Sequence, residues 1–123
     1  MCRALKVLDN VFLGDPVDTF YQARREHGTI VALACHEPEE SCFCKVFGID
    51  AADPEADVAA GSFEGELFWK PLTEKGNALT EAVKELLADA DETKVEEEKK
   101  AIRGIIELLP IIHIFHWKDG RRK

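Results

Sequence analysis

The sequence has no apolar run approaching the roughly 20 residues that cross a bilayer. Its N-terminus has no basic stretch followed by an apolar signal core. A membrane span and secretion are therefore not expected, and a cytoplasmic chain is. No phosphate loop and no G-x-G-x-x-G run is present, which removes the usual signatures of nucleotide binding. Internal repeats are absent, and aromatic residues make up only 8% of the chain. Basic residues are outnumbered by acidic ones, 16 to 24, for a formal charge of −8. The basic run at 118–123 offsets part of that charge, so the rest of the chain is more acidic still. Such a surface repels phosphate backbones and anionic lipids, so neither nucleic acid nor a membrane is an expected partner.

What is present describes one globular domain. Hydrophobic residues account for 46% and charged residues for 33% of 123 residues, enough for a single core. The first dozen residues carry an apolar stripe at Leu5, Leu8 and Phe12 and read as a helix that Gly14 ends. Asp15-Pro16 looks like the N-cap and first position of a second helix, with Val17, Phe20 and Tyr21 inside and Gly28 closing it. Residues 29–35 form an apolar, partly β-branched run that reads as a buried strand. Residues 36–55 are loop-like, broken by Pro38, Gly48 and Pro54.

Asp57–Ala60 and Glu66–Leu72 then read as a hairpin around turn residues 61–65. Thr73 caps a helix whose face holds Leu79, Ala82, Val83, Leu86, Leu87 and Ala90. A last helix, 92–109, buries Val95, Ile102, Ile105, Ile106 and Leu109, with Glu96–Lys100 and Arg103–Glu107 as i,i+4 ion pairs outside. Pro110 ends it. The expected architecture is α/β or α+β: a small mixed sheet flanked by helices, with a cysteine-bearing loop after the first strand and two C-terminal helices. Residues 1–110 make up that domain, and 111–123 form a divergent tail, either a short strand or non-native sequence.

The four cysteines carry the chemical interest. Cys35 stands at the carboxyl end of the first strand, and Cys42 and Cys44 follow in the spacing C-x6-C-x-C, while Cys2 lies apart. Loops at the carboxyl ends of strands are where sites collect in α/β sheets. Clustered thiols in a reducing compartment suit a metal or an iron–sulfur cluster, buried structural thiols, or thiol chemistry. Cys42-Phe-Cys44 is too short a span for a relaxed local disulfide. The spacing does not decide among these roles. A Cys–His pair could be drawn from Cys35 with His27, His36, His113 or His116, but no recognisable motif holds one. His36 could serve as a nitrogen ligand, although a solvated loop histidine is the commoner role. Glu37, Glu39 and Glu40 lack calcium-loop spacing, and Arg24-Arg25 reads as a helix-surface pair.

Arg3-Ala-Leu-Lys-Val-Leu-Asp-Asn-Val-Phe12, Phe20-Tyr21-x-x-Arg24-Arg25-Glu26, and Val31-Ala-Leu-Ala-Cys35 leading to Cys42-Phe-Cys44-x3-Gly48 together resemble a known family. That family comprises the 4Fe-4S dicluster ferredoxin-type subunits of hydrogenase/sulfur reductase (the beta chains) and of anaerobic sulfite reductase. The resemblance spans residues 3–110. It implies an electron-transfer module of an oxidoreductase complex, not itself catalytic, that works between redox partner subunits. It also implies that Cys35, Cys42 and Cys44 are ligands of an iron–sulfur cluster, 4Fe-4S in type. Cys2 is a candidate for the fourth position, although it lies directly before Arg3, two residues out of the family register. The family's ferredoxin-type cysteine runs are not in this chain, so a fragment of a longer subunit is expected. If sheet neighbours are missing, Val31 and Leu33 should be exposed on a strand edge. Two further readings stand beside this one: a subunit-docking domain without a cluster, and a small zinc-stabilised module.

Overall fold

The computed structural model describes residues 2–109, with Cys2 described in its backbone only. The elements are α1 (Cys2–Phe12), α2 (Thr19–His27), β1 (Val31–Leu33), β2 (Val58–Phe63), β3 (Glu66–Pro71), α3 (Glu74–Val83) and α4 (Glu92–Leu108). One 3₁₀ turn, Lys84–Leu86, follows α3. The sheet is mixed, in the order β1-β2-β3, with β1 parallel to β2 and β3 antiparallel to it. This is the expected mixed α/β architecture in the expected order. The tail 111–123 and Pro110 lie outside the described residues.

The hairpin register separates the two faces of the sheet, pairing Gly61 with Phe68 and Ala60 with Trp69. Helix α3 covers the face of Val58 and Trp69. The Trp69 indole Nε1 donates to Thr80 Oγ1 at 2.8 Å. Gly76 is buried so close to the Asp57 carbonyl that a Cβ there would overlap it. Only glycine lets α3 approach the strand this tightly. Helix α4 covers the other face and the end of β1. There Ile102, at 2% exposure, and Ile106 join Ala34, Ala51 and Ala52 in the core cluster. Burying two isoleucines stabilises the fold by about 1.5–3 kcal/mol each.

Several local expectations are corrected. Helix α2 begins three residues later than the Asp15-Pro16 pattern predicts, because Asp18 is its N-cap and accepts from the Tyr21 amide at 2.9 Å. Phe20 is on the outside, and Tyr21 instead stacks on Phe12 with ring centroids 4.9 Å apart. Of the α1 stripe, Leu5 is half-buried, and Leu8 and Phe12 are exposed. The turn of the hairpin is shorter than 61–65: Glu64 and Gly65 make it with φ of 47° and 83°, the two left-handed residues of a tight hairpin turn. Gly61, Ser62 and Phe63 are therefore strand residues.

The third helix stops at Val83, and Leu86 is 86% exposed, so the apolar face drawn through Ala90 is not used. In α4, Ile105 is 44% exposed, leaving Ile102 and Ile106 as the buried pair. The predicted buried strand shrinks to three residues at the sheet edge. Val31 is exposed there and Leu33 is 60% exposed, as expected for a strand with no outer neighbour among the described residues.

Candidate functional site

Parallel strands require a crossover, usually built around a helix. Here β1 and β2 are joined by residues 34–57, which contain no helix or strand. Connections beyond about 12–15 residues without secondary structure are uncommon in compact domains and usually carry function. This crossover holds Cys35, Cys42 and Cys44.

Charged pairs from two helices hold it in place. From α1, Arg3 donates to the carbonyls of Phe47 and Gly48 at 3.4 and 3.3 Å. Arg3 and Lys6 both reach the Glu55 carboxylate, at 3.2 and 3.3 Å. From α4, Arg103 binds Asp50 at 2.8 Å, and the largely buried Lys99 binds Asp53 at 3.2 Å. His36 Nδ1 meets Glu98 Oε1 at 3.1 Å. Lys45, from the loop, donates to the Glu107 carbonyl at 2.7 Å. The expected i,i+4 pair Arg103–Glu107 is replaced by these contacts with the loop, because the loop brings Asp50 and Lys45 against α4, and Glu96 pairs with Lys99 at 3.6 Å instead of with Lys100. The signal of the loop contacts in the sequence is Lys99 and Arg103, one helical turn apart, with Asp53 and Asp50 as two nearby carboxylates of the loop.

The electrostatics follow from the pairing. Burial pushes the Asp50 carboxyl up, but the Arg103 guanidinium and the Ala52 amide outweigh it and hold the group below the usual carboxylate range. Arg103 is raised in return, chiefly by its hydrogen bond to Asp50. Arg3 and then Lys6 lower Glu55. At the end of the crossover, burial raises Asp57. The Thr73 hydroxyl and the Ile30 amide, at 2.7 and 2.9 Å, bring it below its ordinary value.

The thiols occupy two settings. Cys35 and Cys44, both half-buried, pack against the cluster of Ala51, Ile102 and Ile106. The Cys35 amide donates to the Ala51 carbonyl at 2.9 Å. Cys44 also borders a cleft of about 240 Å³ shared with Lys45, Asp50 and Arg103. Cys42 is turned onto its own chain: its amide donates to the Glu39 carbonyl at 2.9 Å, and its Sγ accepts from the Glu39 amide at 3.2 Å. Among the described residues no three His, Cys, Asp or Glu side chains are grouped as a metal would need. The donor chemistry suits a thiolate-bound centre, but the thiols as they stand do not form a ligand set.

The side chain of Cys2, at the start of α1, and the residues His113 and His116 lie outside what is described. His27 is tied to the Ala23 carbonyl at 2.7 Å and His36 to Glu98, so neither is paired with Cys35. Arg25 of the predicted surface pair binds Asp9 at 2.9 Å, beside the Tyr21 hydroxyl. Glu37, Glu39 and Glu40 take no part in the ion pairs of the loop. No helix among the described residues is long and apolar enough to cross a membrane.

No protein-family model matches the chain, and no solved structure matches it. The chain is similar to the sulfhydrogenase 2 subunit beta of Pyrococcus furiosus, with 29% identity over 122 residues. The match takes in 89% of this chain and 36% of that protein, so the chain spans about a third of the length of its relative.

Proposed function

We propose that this chain is the cysteine-loop module of an oxidoreductase subunit that passes electrons between partner subunits and does no catalysis of its own. The observation that carries the reading is the helix-free crossover bearing Cys35, Cys42 and Cys44 at the carboxyl end of β1, clamped by α1 and α4. The likeness to a sulfhydrogenase beta subunit supports it. In this reading Cys35, Cys42 and Cys44 ligate an iron–sulfur cluster, 4Fe-4S in type, with Cys2 as the candidate fourth ligand. A bound cluster would supply one-electron transfer.

The chain's own part is to gather the thiols. The fixed points at His36 and Lys45 bracket residues 37–44, a stretch that carries Cys42 and Cys44 and none of the charged clamps. Moving Cys42 toward Cys35 requires breaking its turn with Glu39, a change confined to that stretch. A docking domain with reduced structural thiols is the second reading. The packing of Cys35 and Cys44 against the apolar cluster favours it.

The full chain, reconstituted anaerobically with iron and sulfide, separates the two. Bound iron and labile sulfide, lost on Ser substitution of any of Cys35, Cys42 or Cys44, is the expected result. Bound zinc without sulfide would replace the cluster by a zinc module. No metal, with all three thiols freely alkylated in the folded protein, would leave the docking reading.

A further inference from the structure

Strand β1 has β2 on one side and, among the described residues, no neighbour on the other. Its hydrogen bonds show which backbone groups face each way. The Ile30 carbonyl accepts from the Val58 amide at 3.1 Å, and the Ala34 amide donates to the Ala60 carbonyl at 2.7 Å. Backbone groups alternate in direction along a strand, so the even-numbered residues spend theirs on β2, and Val31 and Leu33 turn theirs outward. At Cys35 the outer side is closed, because its amide donates to the Ala51 carbonyl of the crossover at 2.9 Å. The open edge is therefore Val31–Leu33.

A row of unpaired amides and carbonyls is a template for another strand, and proteins usually blunt it with charge or proline. This edge has neither. Residues 28–35, Gly-Thr-Ile-Val-Ala-Leu-Ala-Cys, are uncharged and free of proline, although the whole chain carries −8. Two copies of an acidic chain repel each other over most of their surface, and an uncharged edge is where they meet without opposing like charges. Val31 and Leu33 also share one face of the sheet, in register with Val58 and Ala60, and are 44% and 60% exposed.

Two such edges fit each other across a two-fold axis at Ala32. Antiparallel strands exchange both hydrogen bonds between opposite residues at every second position. With Ala32 opposite its own copy, Val31 stands opposite Leu33 of the second copy, and Leu33 opposite Val31. These are the residues whose backbone groups face outward. Each exposed apolar side chain then covers the other on one face, and on the opposite face only the small Ala32 side chains meet.

We infer that this chain pairs with a second copy of itself through the open edge of β1, antiparallel about Ala32, joining two three-stranded sheets into one. The interface is isologous. Strands this short bury less than the roughly 800 Å² per partner of a stable complex. The association is therefore reversible, with a Kd between ~10 µM and ~1 mM. It does not rest on the electron-transfer reading.

Sedimentation equilibrium of the full chain in reducing buffer, from ~10 µM to ~1 mM, should show monomer passing to dimer and no larger species. Over the same range the amides of Val31 and Leu33 should gain protection from hydrogen exchange, with that of Ala32 unchanged; this measurement uses the wild-type chain alone. Val31→Lys and Leu33→Glu should each weaken association at least ~10-fold, by setting a charge against an apolar side chain. Both positions are exposed, so the melting temperature of the monomer should be retained. Mixing the two variants should restore association, because position 31 of one copy then meets the opposite charge at position 33 of the other. A wild-type chain that stays monomeric throughout would overturn the inference and leave the edge to another subunit or to a segment of the same chain. Association that survives both single substitutions would overturn it by placing the interface elsewhere. A mixture that stays monomeric would overturn the pairing about Ala32.

Discussion

Arg103 donates through both Nε and Nη2 to one carboxylate oxygen of Asp50, at 3.0 and 2.8 Å, tying α4 to the turn that follows Cys44. The pair is half-exposed, so its worth to global stability is small, about 0.5 kcal/mol. Its larger effect is local. Arg103→Met should leave the melting temperature within a few degrees of wild type. Hydrogen exchange of amides 44–51 should quicken, with those of β2 and β3 unchanged. Equal loosening of the strands would show that the pair supports the whole fold instead of the loop.

Ile102 and Ile105 lie on the same helix three residues apart and should respond very differently. Ile102 is 2% exposed in the core cluster, and Ile105 is 44% exposed. Ile102→Ala should cost about 2–4 kcal/mol in urea unfolding, and Ile105→Ala less than about 1 kcal/mol. Comparable losses would mean that α4 is rotated from the placement described.

Gly76 is the point where α3 touches the backbone before β2. A Cβ there would overlap the Asp57 carbonyl and crowd the Val58 side chain at 3.2 Å. Gly76→Ala should therefore destabilise by about 1–3 kcal/mol despite the higher helix propensity of alanine. A stabilised variant would contradict the close packing of α3.

Acid should weaken the crossover. Asp50, Glu55 and Asp57 all have folded values below their ordinary ones of 3.8, 4.5 and 3.8. Each depressed carboxyl contributes stability that is fully present above its unfolded value and lost as pH falls through the folded one. Melting temperature should therefore be flat from pH 7 to about 5 and decline below about 4.5. In Asp57→Asn the loss should already be present at pH 7, and the acid decline shallower. A wild-type profile unchanged down to pH 3 would contradict the pairing.

Much of the fold was legible from local chemistry. The order of elements, the Thr73 cap and the pair Ile102 and Ile106 follow from periodicity and turn residues, whereas the exposure of Val31 and Leu33 does not, since their apolar run reads as a buried strand. The misplaced features are those that distant contacts decide. Arg103 reads as a partner for Glu107 one turn away until the loop brings Asp50 within reach. Leu86 and Leu87 fit a helical face, but α3 ends at Val83, and among the described residues nothing packs over Leu86, which is 86% exposed. At the site, spacing identified the loop that carries the thiols. The separation of Cys42 from Cys35 and Cys44 depends on the turn at Glu39, which no cysteine pattern encodes. A cavity between α4 and the sheet is lined by small residues of β2 and of the crossover, and these have no common motif.

The most direct test is the EPR spectrum of the full chain after anaerobic reconstitution and reduction, taken beside Cys35→Ser, Cys42→Ser and Cys44→Ser. The electron-transfer reading predicts a reduced-cluster signal in the wild type, accompanied by bound iron and sulfide, that each substitution abolishes or alters. A wild-type sample without such a signal, carrying no iron and unchanged in stability by the three substitutions, would contradict it.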